Sequence, residues 1–420
     1  MIHVVQQNLY FCGMKTIWTI ILITFPLLCA ISTSCESSEN KTDQQQKKAE
    51  VVDSFAYKFP LISDSTAKEL KDSLYKLFNT VVPFQNFNGM VLVSKNGKIV
   101  YERYLGTANE KTGLKISKET PIHVASISKV ITAVTVLRLA DKKLIQLDVP
   151  VTKYLKDFPY PDVQVRHLLN HRSGIPNYAY FPDSLLPKNN MLSTKGVLRL
   201  LKKYNYPLYF PPGTHFSYCN SNYALLALIV EEVTKTPFPK FVKKELFDPL
   251  KMTHSFIASD TVLPKNAALS YNSKKEFQEY NTLDAVYGDK NLYTTARDLF
   301  LLDKALYSDN FLSAKMKKEM MRGYSYEKPG KSNYGLGFRL REEEGKSTFV
   351  FHTGWWHGNT GCYAHLVEDN ACMVIISNHY TKSVFGINQL SNLFGDYPYA
   401  PLIDSKENFV SMDEAIERLK

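Results

Sequence analysis

Patterns typical of β-strands occur near both ends of the chain, and this arrangement limits the possible folds most. Near the N-terminus, apolar residues 89–93 and 99–101 flank Asn96-Gly97, the pair that suits a type I′ hairpin turn. Near the C-terminus, strand patterns cover residues 347–353, 361–367 and 371–377. Residues 127–307 between them are mainly helical in pattern. We therefore predict one antiparallel sheet closed by the two chain ends, with a cleft between the sheet and the helices.

The expected fold class is α/β of the α+β type, an antiparallel sheet flanked by helices plus an inserted all-helical domain. Residues 65–82 carry apolar side chains at helical spacing, which predicts an amphipathic helix. The predicted boundaries are a leader at 1–34, a flexible tether at 35–55, a globular domain at 56–400 and a C-terminal tail at 401–420. Within the globular domain, the sheet part comprises residues 56–125 and 326–400, and the helical part comprises residues 126–325.

The leader has the composition of an export signal. Lys15 precedes an apolar run at 17–31, and small residues at 32–34 lead into Cys35. The run is short and broken by Thr and Pro, whereas a membrane-spanning helix needs about 20 apolar residues. The segment around Cys35 resembles a bacterial lipoprotein site, so we predict an exported protein anchored to the membrane of the cell envelope (periplasm) through lipid on Cys35. Plain secretion and a retained anchor are the alternatives.

Charge and cysteine content exclude two classes of protein. The 51 Lys and Arg residues exceed the 41 Asp and Glu residues, which gives a formal net charge of +10. These basic residues are scattered among acids and do not form a patch, so we predict no nucleic-acid partner. Outside the leader and Cys35, the cysteines are Cys219, Cys362 and Cys372. An odd number of thiols implies no disulfide framework.

Ser-x-x-Lys occurs five times, so its context must decide which copy carries chemistry. Only Ser126 opens a strongly apolar helix, which continues to Ala140 and is expected to be buried. The spacing of three places Ser126 and Lys129 on one face, one turn apart. Burial and the positive end of the helix both disfavour a charged lysine, and an uncharged lysine can take the proton of a serine hydroxyl. The alternative is a lysine that reaches solvent.

Two further segments carry side chains suited to the same chemistry. Tyr218-Cys219-Asn220 lies in a loop just before another apolar helix, a place from which side chains reach a cleft. A tyrosine can pass a proton to a leaving group, and an asparagine can hold a substrate amide. Each pattern alone is weak, because the chain contains 26 tyrosines.

The second segment, His352-Thr353-Gly354, ends a predicted strand and is followed by Trp355-Trp356. A strand edge beside a nucleophile can bind an extended substrate backbone. Gly354 permits close approach, and the N–H of Trp355 can serve as a second oxyanion donor. The alternative is an ordinary histidine at the end of a strand.

Together and in this order, the three motifs resemble those of the serine β-lactamase and penicillin-binding-protein family. The most similar branch contains class C β-lactamases, DD-peptidases and related esterases. Further segments that resemble this branch are residues 165–176, 288–293 and 334–338. The resemblance extends over about residues 84–380, most of the chain that follows the tether.

This resemblance implies an acyl-enzyme mechanism in a β-lactamase-related serine hydrolase domain. Ser126 would attack a carbonyl carbon, and Lys129 and Tyr218 would move protons. Asn220 would position the substrate, while the backbone N–H groups of Ser126 and Trp355 would hold the oxyanion. The resemblance also implies a monomer that uses no metal or organic cofactor and acts on a small-molecule or peptide acyl substrate.

The sequence departs from the family at His352, where β-lactamases usually carry a lysine that attracts the substrate carboxylate. A mostly neutral imidazole attracts a carboxylate less strongly. We therefore predict weak activity on β-lactams and a preference for an ester or a D-amino-acid peptide, as in DD-peptidases and esterases. The alternative is a non-catalytic or acylation-only module that binds cell-wall peptides or β-lactams.

Three other enzyme classes are disfavoured by their motifs. His167 and His171 are four apart on a predicted helix, but Leu168 stands where a zinc protease has glutamate. Gly-x-Ser-x-Gly is absent, which argues against an α/β-hydrolase. Gly335-x-Gly337 lacks the third glycine of a dinucleotide site.

Overall fold

A computed structural model describes residues 55–80, 87–188, 190–259 and 267–399. The predicted leader at 1–34, Cys35, residues 35–54 of the tether and the predicted tail at 401–420 lie outside the described residues. No helix in the described ranges is long and apolar enough to cross a membrane.

The elements are numbered in chain order. The described strands are β1 (Gly89–Lys95), β2 (Lys98–Leu105), β3 (Thr107–Asn109), β4 (Leu114–Lys115), β5 (Ile122–His123), β6 (Phe256–Ile257), β7 (Leu292–Thr294), β8 (Ser332–Tyr334), β9 (Arg339–Arg341), β10 (Phe349–Trp356), β11 (Asn359–Leu366) and β12 (Ala371–Ser377). The described α-helices are α1 (Asp64–Thr80), α2 (Ser128–Asp141), α3 (Val165–Leu169), α4 (Thr194–Tyr204), α5 (Asn220–Thr234), α6 (Phe238–Val242), α7 (Ala296–Leu306) and α8 (Ala314–Met321).

Seven antiparallel strands form the main sheet, in the order β2-β1-β12-β11-β10-β9-β8. The first strand pairs with the last, with Gly89 opposite Ser377. The two ends of the domain therefore close one sheet, as the sequence predicts. The predicted hairpin is also confirmed, because Asn96 (φ 50°) and Gly97 (φ 70°) both adopt the left-handed conformation that a type I′ turn requires.

Side chains that alternate along the central strands pack on opposite faces of the sheet. Met90 of β1 joins a core with α2 and α5, whereas Val91 joins a second core with α1. A 3₁₀-helix at Ser383–Leu393 packs with α1 over this second face. Burial on both faces explains why these strands are apolar throughout. The observed α1 agrees with the amphipathic helix predicted at 65–82, within the described residues.

The inserted region is mainly helical, and two of its strands, β6 and β7, form a small sheet of the order β5-β7-β6 with the strand just before it. Each of these strands has only two or three residues, too few for a strand pattern to stand out from the surrounding sequence. The backbone N–H of Val124 donates to the carbonyl of Leu292, at 3.0 Å, and continues this pairing towards the predicted nucleophile.

Strand β10 is longer than the sequence pattern suggests. The predicted strand ends at Thr353, whereas the observed one continues to Trp356. Pairing with β11 accounts for the extension, because Gly354 lies opposite Gly361 and Trp356 lies opposite Asn359. The three described cysteines are buried free thiols.

Candidate active site

Ser126 lies in a 3₁₀ turn at Ala125–Ile127, directly before α2 begins at Ser128. The sequence predicts this serine in the first turn of the α-helix, so the observed position is one short turn earlier. Ala125 adopts a left-handed conformation with φ 47°, an unusual conformation for an alanine that turns the chain sharply before Ser126. Ser126 is half-buried, so its hydroxyl is placed where the apolar helix meets solvent.

Lys129 is fully buried in the first turn of α2. Its Nζ donates to Ser126 Oγ at 3.1 Å and to the backbone carbonyl of Asp289 at 2.8 Å. The predicted alternative, a lysine that reaches solvent, is therefore wrong. Tyrosine rings cover the remaining side of the amine, with Nζ 5.0 Å from the ring centroid of Tyr218 and 5.7 Å from that of Tyr223.

The predicted proton carrier and amide-binding residue come from the start of α5. Tyr218 lies two residues before Asn220, the first residue of the helix. The N–H of Asn220 donates to Asn177 Oδ1 at 3.3 Å, which holds the helix start in place. Tyr218 Oη and Asn220 Oδ1 are buried and have no hydrogen-bond partner among the described residues. Both atoms therefore have hydrogen-bonding capacity that the described residues leave unused.

The end of β10 passes beside the Ser126 turn. β9 pairs only with Phe349, Val350 and Phe351, so residues 352–356 have no strand on this edge within the described ranges. A Cβ placed on Gly354 would lie 2.2 Å from the carbonyl oxygen of Val124, so only glycine allows this approach. Trp355 exposes 64% of its surface, which turns its ring towards solvent and leaves its backbone beside the site.

His352 is fully buried and uncharged. Its Nδ1 lies 2.7 Å from the carbonyl of Thr353, which can only accept, so Nδ1 carries the proton. Its Nε2 therefore accepts from the hydroxyl of Tyr334, at 3.1 Å. Burial, together with the nearby Arg339 guanidinium, holds the pKa of His352 well below its usual value. The neutral imidazole expected from the sequence is thus supported by its surroundings, and the half-buried Thr353 beside it completes the segment.

Arg339 on β9 is a cation at this site that the sequence motifs do not include. Its guanidinium carbon lies 4.9 Å from the ring centroid of Tyr218. Its Nε is buried without a partner among the described residues. The site therefore has a positive charge near Tyr218 although the family's usual lysine is replaced by His352. The sequence does contain a signal for Arg339, because this residue directly follows the family-like segment 334–338. It also lies between Phe338 and Leu340, which are both buried.

His171 supports Tyr218, a role that its sequence pattern does not reveal. Its ring lies 4.4 Å from the ring of Tyr218, and its Nδ1 accepts from the N–H of Cys219 at 3.1 Å. The predicted helix that would align His167 with His171 is wrong. α3 ends at Leu169, and His171 adopts a left-handed φ of 59°. No group of ligands suited to a metal ion occurs within the described residues.

A buried polar cluster surrounds the residue that accepts from Lys129. The Asp289 carboxylate accepts from the Tyr178 hydroxyl at 2.8 Å and lies 3.5 Å from Lys290 Nζ. Lys290 also donates to the Tyr178 hydroxyl. All three side chains are buried. The cluster fixes the peptide whose carbonyl accepts from Lys129. In the sequence, the family-like segment 288–293 is the one sign of it.

A match to a family model shows which family the chain belongs to. Residues 77–391 match the family described as Beta-lactamase, which covers three quarters of the sequence. The chain belongs to the β-lactamase family. Penicillin-binding protein 4* of Bacillus subtilis (strain 168) is 27% identical over 320 residues, which cover 73% of this chain and 71% of that protein.

Solved structures share the fold. The octameric penicillin-binding protein homologue from Pyrococcus abyssi has a TM-score of 0.65 at 24% identity and covers 79% of this chain and 77% of that one. D-amino acid amidase from Ochrobactrum anthropi has a TM-score of 0.63 at 20% identity and covers 77% of this chain and 96% of that one. The β-lactamase-related fold predicted from the motifs is thus confirmed. The predicted monomer stays a prediction.

Proposed function

We propose that this chain is a serine hydrolase that forms an acyl-enzyme on Ser126. The observation that carries the proposal is the contact of Nζ of the fully buried Lys129 with Ser126 Oγ, at 3.1 Å. A nucleophile and a base within hydrogen-bond distance are the core of covalent acyl transfer. In the proposed mechanism Lys129 Nζ takes the proton of the Ser126 hydroxyl.

The proposed reaction proceeds through an acyl-enzyme. Ser126 Oγ forms a bond to the carbonyl carbon while its proton passes to Lys129. The resulting oxyanion would lie between the N–H groups of Ser126 and Trp355, because β10 passes close to the turn at Gly354. The bond to the leaving group breaks, and the leaving group takes a proton through Tyr218. Water then hydrolyses the acyl-enzyme and regenerates the serine hydroxyl.

We propose a D-amino-acid peptide with a free carboxylate as the preferred substrate, with simple esters as the second class. Arg339 supports this choice, because a guanidinium is well suited to a carboxylate. Asn220 would hold the substrate amide with its unpartnered side-chain oxygen. The fold shared with D-amino acid amidase also supports a D-amino-acid substrate. The neutral His352 supports weak turnover of β-lactams.

Labelling with a fluorophosphonate and a fluorescent penicillin tests the nucleophile, with Ser126→Ala as the matched control. We expect wild type to be labelled by the fluorophosphonate and Ser126→Ala to be labelled by neither probe. Absence of labelling in wild type would refute the assignment. Turnover of a D-alanyl-D-alanine peptide, a short-chain ester and a cephalosporin then ranks the substrates. Stable labelling without any turnover would instead favour the acylation-only binding module.

We also propose export and lipid attachment at Cys35. The support is the order of Lys15, the apolar run 17–31 and the small residues before Cys35. Metabolic labelling with a fatty acid tests this in cells that express wild type or Cys35→Ala. Incorporation into wild type alone is expected. Export without labelling would leave plain secretion, and the sequence-based prediction of a lipoprotein would be wrong.

A further inference from the structure

His171 is the residue through which the chain after α3 contacts Tyr218. Its ring is fully buried, and the ring centroid lies 4.4 Å from that of Tyr218. The rings of Tyr223 and Tyr334 pack on it as well, with centroids at 5.1 and 4.8 Å. These neighbours fix the position of His171 closely, and no proton transfer proposed above passes through it.

Two hydrogen bonds from the main chain bracket Tyr218. The N–H of Ser217 donates to the backbone carbonyl of His171 at 2.9 Å. The N–H of Cys219 donates to His171 Nδ1 at 3.1 Å. These donors belong to the residues directly before and after Tyr218. One residue therefore holds the main chain on both sides of the tyrosine and also packs against its ring.

The bond from Cys219 requires one form of the histidine. A backbone N–H can only donate, so Nδ1 is the unprotonated nitrogen of the ring. The side-chain amide of Asn222 donates to the same atom at 3.1 Å, and its oxygen accepts from the Ser173 hydroxyl at 2.7 Å. Burial, together with the charge of Lys129, holds the pKa of His171 well below its usual value. The ring is therefore neutral at pH 7, and its acceptor is maintained.

The main chain at His171 and Arg172 is shaped to reach this segment. His171 adopts a left-handed conformation with φ 59°, which is uncommon for residues other than glycine. Arg172 holds the other end of the segment, because its guanidinium donates to the Gly213 carbonyl at 2.6 Å. The Gly213 N–H in turn donates to the Arg172 carbonyl at 2.8 Å. Residues 213–219 are thus fastened at both ends by two consecutive residues.

The position of Tyr218 matters for one step of the proposed reaction. The proton that Lys129 takes from Ser126 passes through the Tyr218 hydroxyl to the leaving atom, as the bond from that atom to the acyl carbon breaks. Such a transfer requires the donor within hydrogen-bond distance of the leaving atom. Amine and alkoxide leaving groups need this proton, whereas 4-nitrophenolate leaves as a stable anion.

We propose that His171 is a positioning residue that places Tyr218 for protonation of the leaving group. It thereby gives the enzyme its activity on amides and alkyl esters, and it has little influence on esters whose leaving group needs no proton. This inference rests on the proposed acylation of Ser126 and on the proton transfer through Tyr218.

The test compares ethyl butyrate with 4-nitrophenyl butyrate, which share the acyl group and differ in the leaving group. The ratio of their kcat/KM values reports on acylation, because both esters form the same acyl-enzyme. Tyr218→Phe sets the reference. A positioned acid contributes about 10²–10⁴-fold, so this variant should lower kcat/KM for ethyl butyrate by about 10²-fold or more and that for 4-nitrophenyl butyrate by less than about fivefold.

Variants of His171 separate the acceptor from the ring. His171→Phe keeps an aromatic ring and His171→Gln keeps a polar amide, but neither places an acceptor at the Nδ1 position. Both should lower the ratio of ethyl to 4-nitrophenyl ester activity by about tenfold or more. His171→Asn places its side-chain oxygen near the Nδ1 position and suits a left-handed backbone, so it should stay within about threefold of the wild-type ratio.

His167→Phe is the matched control. His167 Nδ1 also accepts from a backbone N–H, that of Gln164 at 3.2 Å, and this variant should retain the wild-type ratio. Equal losses on both esters in His171→Phe and His171→Gln would overturn the role of His171 and leave the hydrolase intact, as would a ratio in His171→Asn as low as theirs. No selective loss in Tyr218→Phe would overturn the proton transfer and this inference together. If wild type hydrolyses neither ester, the proposed function itself fails.

Discussion

Two lysines are buried close together in this protein, and their surroundings are opposite. Lys129 contacts the Ser126 hydroxyl, a backbone carbonyl and tyrosine rings, with no carboxylate partner among the described residues. Lys290 lies 3.5 Å from the carboxylate of Asp289 and between the rings of Tyr178 and Trp356. Lys129 therefore has a hydroxyl and a carbonyl as hydrogen-bond partners, whereas Lys290 has a buried carboxylate beside it.

Asp289 connects the two environments. Its backbone carbonyl accepts from Lys129, and its carboxylate lies beside Lys290. Burial lowers the pKa of Lys290, and Asp289 opposes this shift. A buried lysine is therefore not by itself a sign of catalysis. Its partners distinguish a base from a structural charge, and the predictions below test that distinction.

Replacement of Lys129 should have the largest effect. Lys129→Met removes the base, and a positioned general base contributes about 10²–10⁴-fold to the rate. We expect kcat/KM for the short-chain ester to fall by about 10³-fold, together with the rate of fluorophosphonate labelling. Labelling kinetics measure the acylation step directly.

Lys129→Arg is the matched control, because arginine keeps the size and charge but cannot lose its proton. It should be as inactive as Lys129→Met. An arginine variant with more than a tenth of wild-type activity would show that Lys129 acts by charge, and the contrast with Lys290 would be lost.

Replacement of Lys290 should mainly affect stability. Lys290→Met leaves the Asp289 carboxylate buried without its charged partner, which costs about 3–5 kcal/mol. Urea denaturation should therefore show a free energy of unfolding lower by about that amount. Activity should fall less than in Lys129→Met, through displacement of the Asp289 carbonyl.

The double variant Asp289→Asn/Lys290→Met separates charge from packing. It removes both charges together and should recover most of the lost stability. If Lys290→Met keeps wild-type stability, or if it abolishes labelling as completely as Lys129→Met, then the two lysines do not differ in the way proposed.

The two environments also differ in how far sequence could predict them. Ser126 and Lys129 lie three residues apart, in a 3₁₀ turn and in the apolar helix that directly follows it, so a local pattern was enough to predict their contact. The closure of the sheet was likewise predictable, since apolar strand patterns occur at both ends of the chain. The contact of Ser126 with Lys129 depends on one short segment, and the closure of the sheet depends on the order of the elements along the chain.

Long-range contacts explain what was missed. Arg339 reaches Tyr218 across 121 positions of the chain only because β9 is placed beside β10. Tyr178 meets Asp289 across a comparable separation. His167 and His171 show the reverse error, because helical spacing suggested a shared face and the left-handed His171 ended the helix. Spacing predicts contacts within an element and does not predict which elements meet.

Arg339→Met should have a selective effect on substrates with a carboxylate. Loss of a charged hydrogen bond costs about 1.5–3 kcal/mol, so preference for a D-alanyl-D-alanine peptide over its C-terminal amide should fall about tenfold or more. Steady-state kinetics with the two peptides measure this ratio. Turnover of the short-chain ester should change less.

Arg341→Met is the control on the same strand, because Arg341 donates to the carbonyl of Pro398 and stacks near Tyr399. It should retain the preference. Equal loss in both variants would indicate that β9 has been disturbed as a whole, and Arg339 would then have no specific part in recognition.

Replacement of His352, a neutral histidine near Lys129, should have the smallest effect. The pKa of His352 is lowered in the folded state, chiefly by burial, so the unfolded chain binds one more proton below about pH 6.5. Stability therefore rises with pH through this range, by up to about 1.4 kcal/mol per pH unit for one histidine. Between pH 7 and pH 5.5, His352→Gln should lose about 1 kcal/mol less stability than wild type.

Urea denaturation at the two pH values measures this difference. Tyr334→Phe, which removes the hydroxyl that donates to His352 Nε2, should lower stability at both pH values and keep the wild-type pH dependence. A protonated His352 would add a second positive charge beside Arg339. The neutral form of His352, which stabilises the fold, therefore also limits the positive charge around Lys129. An unchanged pH dependence in His352→Gln would mean that this histidine is charged in the folded protein, and that the surroundings of Lys129 are not free of competing charge.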